Sequence, residues 1–251
     1  MADHNFPYQQ MRPELNLAFI AVVQDKWALH GTPLAIDDLG GAYNRNWRVV
    51  MPADDVVVRV RPPWLRAQRV AELHALLMLL NREALPTPKL RHSRSGRTYE
   101  YIQGRLVEVY DYLVEESNRR WSVQRWASSF GHMAYLHVVM RKLALSMSPP
   151  LVSNYAPSRL LHLMLDETGK RLQKLPLSVE RDEARAICEE ARRVLKEIDS
   201  FMQSLMDELP NQLIHGDFHL DNLLFDPADK VMYTLDFDFV AWRERIYDVA
   251  Y

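Results

Sequence analysis

IHGDFHLDNLLFDPADKVMYTLDFDF, residues 214–239, is the stretch on which the reading of this chain turns. It sets out Asp217, then Asn222 five residues on, then Asp236 beyond a short hairpin. Moving a phosphoryl group asks little covalent chemistry of a protein and much placed charge: bound Mg²⁺, and a carboxylate beside the attacking hydroxyl. Asp217 can orient that hydroxyl and accept its proton. The Asn222 side-chain oxygen and the Asp236 carboxylate can bind Mg²⁺, a hard cation that prefers oxygen. Two plainer readings stand beside this one. Gly, Asp and Asn also favour ordinary turns. His215, Asp217 and His219 form a second conceivable metal set, although zinc usually needs a further spaced group of ligands and none is visible.

Working outward, the chain changes character twice. Up to about residue 110 it alternates turn signals with β-branched runs. Gly40 and Gly41 mark a turn, residues 47–51 and 56–60 read as strands joined by Pro52 to Asp55, and Pro62-Pro63 ends the second. Apolar residues then recur at helical spacing over 65–80, and strands follow at 99–102 and 106–110 around Gly104. Beyond that the pattern is mostly helical: 122–143 with Ser122 as N-cap, 158–165, and about 178–209. Short strands return at 212–214, 223–225 and 232–235. The expectation is a small β-rich lobe, a connection near 103–106 and a larger helical lobe. A cleft between two such lobes suits a nucleotide.

Composition narrows the function classes. The 251 residues are 48% apolar and 25% charged, ordinary for a globular protein able to bury a sizeable core. A formal net charge of −2 offers no basic footprint for nucleic acid and no polybasic membrane patch. Residues 15–23 are apolar but short, and read as part of a buried helix rather than a signal peptide or a membrane span. Cys188 is the only cysteine, which fits a reducing cytoplasm.

The order His215-Gly216-Asp217-Phe218-His219-Leu220-Asp221-Asn222, followed by Asp236-Phe237-Asp238, has the spacing of the protein-kinase catalytic loop and its D-F-G segment. Gly216 stands where protein kinases have arginine, and Asp238 where they have glycine. With those departures the pattern H-G-D-x-H-x-x-N then D-F-D resembles the aminoglycoside phosphotransferase, choline kinase and homoserine kinase-like family. The resemblance runs from about residue 38 to 251. It implies an α+β, two-lobed protein-kinase-like fold, with residues 1–103 as the nucleotide-binding lobe and 104–251 as the catalytic lobe. Family members continue for several helices beyond a Y-D-L-A segment like Tyr247-Asp248-Val249-Ala250, so it also implies a catalytic lobe cut short at Tyr251.

The function implied is transfer of the γ-phosphate of ATP, or of GTP, to a small-molecule hydroxyl, with Mg²⁺. Asp217 would be the base, Asn222 and Asp236 the metal ligands, and His219 either a phosphate contact or a support of the loop. Gly41 and Asn44 lie in a segment like the family's nucleotide-covering turn. Arg59 matches the strand position of the phosphate-pairing basic residue, with Arg61 a rival on the same face. Glu72 matches its helix partner, unless it is a plain surface glutamate. Tyr101 and Ile102 match the hinge that meets adenine, unless they are only strand and turn. Asp248 would brace the catalytic loop. A scaffold without turnover is the alternative function, and a protein kinase a weaker one.

Overall fold

The computed structural model describes residues 16–41, 43–114, 122–143, 145–150, 158–205 and 208–250. Leu15, residues 206 and 207, and Tyr251 lie outside the described residues.

Helix α1, Leu17–Trp27, begins where the Asn16 side chain accepts the Phe19 N–H at 2.7 Å. It lays Phe19, Ile20, Val23 and Trp27 on one face of an antiparallel sheet. The sheet order is β1-β2-β3-β5-β4, built from Ala35–Gly40, Arg45–Val50, Val56–Val60, Glu100–Ile102 and Arg105–Asp111. In β3 the valines at 56, 58 and 60 are buried under α1, because successive side chains of a strand point to opposite faces. Val57, Arg59 and Arg61 therefore share the other face, which looks into the cleft.

Helix α2, Ala67–Arg82, does not belong to that core. Its Leu73, Leu76, Leu77 and Leu80 pack with Met133, Leu136 and Met140 of α3, Val123–Leu143, and with Leu213, Phe225 and Phe237 of the second lobe. The α2 helix is thus the part of the first lobe buried in the second. Ser122 caps α3 as expected, accepting the Arg125 N–H at 3.1 Å. Helices α4, Ser158–Gln173, and α5, Val179–Leu205, form a hairpin. Four short strands follow: β6, Asn211–Ile214; β7, Leu223–Phe225; β8, Val231–Thr234; and β9, Ala241–Glu244. They pair as β6 with β9 and β7 with β8, and α6, Ile246–Ala250, closes the described chain. Among the described residues no helix is long and apolar enough to cross a membrane.

Two expectations change. The sheet does not end at residue 103: β5 runs to Asp111 and pairs with β3 from Val56↔Asp111 to Val60↔Val107, so a division at 103/104 would cut the β4–β5 hairpin in two. The β-sheet thus reaches Asp111. The second change is β1, which the sequence does not announce because its AIDDLG lacks apolar alternation; among the described residues it is an outer strand held by β2 alone.

Leu76 is fully buried where the lobes meet, so Leu76→Ala should cost roughly 2–5 kcal/mol. A lower urea midpoint at unchanged slope is the expected reading, and an unmoved midpoint would contradict this packing. His132 of α3 meets Thr234 Oγ1 at 2.7 Å, and burial, aided by His215, pushes its imidazole down to about 4. The unfolded imidazole takes a proton near pH 6.5, so this contribution to stability is complete above that pH and is lost as pH falls towards 4. His132→Asn should flatten the stability profile between those limits, measured by thermal melts across pH.

Candidate active site

Strand β6 delivers the chain into the loop that begins at His215. The His215 ring is fully buried, with its Nε2 at 2.9 Å from Leu235 O and its ring 4.7 Å from that of Phe237. Its Nδ1 accepts the Asp217 N–H at 3.3 Å, so the neutral tautomer with the proton on Nε2 satisfies both contacts. Burial pushes its pKa down, which agrees with that neutral form. His215 supports the loop from beneath.

Asp248 of α6 holds the loop from the other side. Its Oδ1 accepts the Gly216 N–H at 2.7 Å, and its Oδ2 accepts the His215 N–H at 2.9 Å and meets His137 Nε2 at 2.8 Å. Burial would raise this carboxyl, but the His137 hydrogen bond, His215 and the two backbone donors bring its pKa below the ordinary value. Gly216 has a positive φ of 79°, and a Cβ there would stand 2.3 Å from Phe239 O. The residue between histidine and aspartate must be glycine here for that reason.

The loop then presents Asp217, His219 and Asn222 together. Asn222 Nδ2 donates to Asp217 O at 2.8 Å and to Asp217 Oδ2 at 3.1 Å. His219 Nε2 lies 3.1 Å from the same Nδ2 and 3.7 Å from Asp217 Oδ2. With its amide N–H₂ turned to Asp217, Asn222 has its oxygen left as an atom that could accept a metal ion. Asp236 follows β8 in a left-handed backbone conformation, φ 55° and ψ 67°. Its Oδ1 is buried without a hydrogen-bond partner, 3.6 Å from Arg59 Nη1. Burial, with Asp238 adding, pushes this carboxyl up to about 6. An orphaned carboxylate oxygen in this setting is what a hard cation would satisfy, and Mg²⁺ commonly takes one or two protein oxygens with phosphate and water completing its shell. Asn222 and Asp236 fit that ion. The other metal reading does not form: among the described residues no cluster of three or more His, Cys, Asp or Glu could hold one.

Arg59, Asn222 and Asp236 line a cleft of about 470 Å³ between the lobes, closed behind by Val57, Tyr110 and Leu224. Arg59 is held by Asn46 Oδ1 at 2.8 Å, with Asp236 and Asp238 each at 3.6 Å. Arg61, its rival, is buried deeper. Its Nε bonds Glu108 at 2.6 Å and its Nη1 bonds Asp238 at 2.5 Å. Asp238 would be raised by burial, yet Arg61 and Arg59 bring it below the ordinary carboxylate value.

Four of the expected nucleotide contacts are placed otherwise. Tyr101 is 55% exposed on the outer strand β4, and Ile102 is packed in the core under α1, so neither reaches the cleft. The segment along the cleft is Asp111, Tyr112, Leu113 and Val114, which follows β5. Sequence reading missed it because the contact expected of a hinge is made by backbone, which leaves no residue signature; the length of the β4–β5 hairpin was the available signal. Glu72 does not pair with a strand arginine. It accepts the Ser148 N–H at 2.8 Å and meets Ser148 Oγ at 3.0 Å. Asn44 does not line the cleft and donates to Asp238 Oδ2 at 2.5 Å. Gly41 shapes the same turn: its φ is 120°, and a Cβ would stand 2.6 Å from Asn44 O.

Residues 37–251 match the model of a family described as "Phosphotransferase enzyme family" (APH). The chain is 22% identical over 210 residues to a homoserine kinase of Zymomonas mobilis subsp. mobilis, covering 84% of this chain and 61% of that protein. It therefore spans less than two thirds of that relative. Among solved structures it is similar to an amicoumacin kinase in complex with AMP-PNP, Ca²⁺ and Ami, with TM-score 0.61 and 15% identity over 93% of this chain and 66% of the other. It is also similar to a spectinomycin phosphotransferase bound to ADP and spectinomycin, with TM-score 0.67 and 9% identity over 95% and 73%. A microcompartment-associated aminopropanol kinase gives TM-score 0.59 at 14% identity over 93% and 72%. At these identities the likeness is one of fold.

Asp248→Ala should strip three partners from its carboxylate and loosen the loop, lowering stability by about 3 kcal/mol. Faster amide exchange at His215 and Gly216, against unchanged exchange in β2 and β3, is the expected pattern; uniform protection would refute the brace.

Proposed function

This chain belongs to the phosphotransferase enzyme family, and from that premise we propose that it transfers the γ-phosphate of ATP, with GTP as the alternative donor, to a hydroxyl of a small molecule. The observation that carries the proposal is that Asn222 and Asp236 line one cleft with Arg59, while Asp217 is hydrogen-bonded to Asn222 beside it.

Asp217 orients the acceptor hydroxyl and takes its proton as the oxygen attacks the γ-phosphorus. The bond from that phosphorus to the bridging oxygen breaks, and the nucleoside diphosphate leaves with the electron pair. Asn222 and Asp236 would hold Mg²⁺, which when bound would neutralise charge on the phosphate oxygens. Arg59, always charged and able to bond two oxygens at once, steadies the phosphates from the roof of the cleft. His219 stands beside Asp217 and Asn222, where it can donate to the transferred group. Nucleotide-dependent chemistry of this kind fits a cytoplasmic site of action, and the single Cys188 agrees with it.

Amino alcohols, homoserine and aminoglycosides are the acceptor classes to screen. Thermal melts with ATP should rise in the presence of Mg²⁺ and stay near baseline without it, since a ligand selective for the folded state stabilises by mass action. Asp217→Asn should keep that rise and lose turnover by about 10²–10⁴-fold. Asp236→Ala should lose the Mg²⁺-dependent part of the rise. Full turnover in Asp217→Asn would sink the role given to Asp217, and a melt indifferent to nucleotide would favour a scaffold without turnover.

A further inference from the structure

Within one three-residue motif, two carboxylates have opposite surroundings. Asp236 has an oxygen without a hydrogen-bond partner, whereas Asp238 has both of its oxygens engaged. Asp238 Oδ2 accepts from Asn44 Nδ2 at 2.5 Å, and Oδ1 accepts from Arg61 Nη1 at 2.5 Å. Both donors belong to the first lobe, one from the turn after β1 and the other from the end of β3. They also meet each other, Arg61 Nη1 donating to Asn44 Oδ1 at 3.3 Å. Asn44 and Arg61 are buried, at 5% and 2% exposure, while the Asp238 side chain is 20% exposed where it lines the cleft, so salt screens these contacts less than it would a surface pair.

The surroundings hold this triangle in place. Arg69 of α2 donates to Asp238 O at 3.1 Å and to Val240 O at 2.6 Å, fixing the backbone on which Asp238 sits. The Tyr43 ring packs edge-on against Phe239 at 5.9 Å. Arg61 is anchored behind by Glu108. The turn that would cover the phosphates is thereby tied, through side chains alone, to a residue two positions from the metal-binding carboxylate.

We propose that Asp238 is a positioning residue that latches the nucleotide-covering turn to the metal-binding segment, acting through Asn44 and Arg61 and not by binding the metal itself. This assignment rests on the function proposed above only for its effect on nucleotide affinity; the latch itself belongs to the ligand-free fold. Asn44 accordingly serves the nucleotide at one remove, by holding the turn.

Two measurements test it. In the ligand-free protein, Asn44→Ala and Asp238→Asn should each free the turn and speed tryptic cleavage after Arg45, at the start of β2, by about tenfold over the wild type, as expected for a lost buried contact. Cleavage at the wild-type rate in Asn44→Ala, with its thermal midpoint preserved, would overturn the latch, and this arm stands even where Asp238→Asn fails to fold. The second measurement is Mg²⁺–ATP affinity across the cycle of Asn44→Ala, Asp238→Asn and the double variant. Each single variant should weaken binding about tenfold, and the double variant no more than the weaker single, because both break one linkage. Losses that multiply would overturn the proposal and make Asp238 an independent ligand. A wild-type protein that binds no Mg²⁺–ATP would instead remove the phosphotransferase reading, and the cleavage rates would still decide the latch.

Discussion

A guanidinium that is 2% exposed has to be neutralised from within the fold, and the way Arg61 is neutralised sets the form of the cleft. Glu108 approaches along the β3–β5 ladder, and Asp238 approaches from the other lobe. Burial would raise the Glu108 carboxyl, but Arg61 and His74 hold it well below the ordinary range. Tyr110 donates its hydroxyl to the same carboxylate at 2.6 Å. One buried charge thus gathers a strand neighbour, an aromatic wall of the cleft and the segment that carries the candidate metal ligand. The roof and floor of the site are in register before anything binds.

The hydrophobic arrangement has the same logic on a larger scale. The sheet uses one face to bury α1 and leaves the other to Val57, Arg59 and Arg61. The apolar stripe of α2 packs with α3 and the short strands beneath, and the sheet adds to that cluster only Tyr110 and the flanking Val57. A helix that belongs by sequence to the first lobe becomes part of the core of the second. Relative movement of the lobes has to carry α2 with it or break that packing, which favours small adjustments over wide opening.

What the sequence discloses follows from whether a contact is local. The loop from His215 to Asn222 was legible because part of its constraint sits within eight residues, namely a glycine with positive φ, a histidine bonding back to the loop and an asparagine bonding the aspartate five positions before it, whereas its supports from Leu235 and Phe239 are non-local. Asp248 was legible through its place in a second short motif. The same-face placement of Arg59 and Arg61 followed from strand alternation. Illegible features depend on distant partners. Glu72 has a plausible sequence context, yet its partner is Ser148, 76 residues away. Asn44 looks like a phosphate-facing turn residue and is claimed by Asp238 across 194 residues. The segment from Asp111 to Val114 has no side-chain signature at all, and Tyr101 stood in for it because both flank the same strand, β5.

The outer strand β1 bears on a different hazard. An open sheet edge presents unpaired backbone groups to any other extended chain, and that invites intermolecular strand addition. Here the edge carries Asp37 and Asp38, whose side chains are 54% and 45% exposed, and its register with β2 is interrupted between Asp38 and Gly40. The opposite edge, β4, is only three residues long. Charged side chains with a bulge at one margin, and brevity at the other, leave the sheet, among the described residues, little length on which a neighbouring molecule could template.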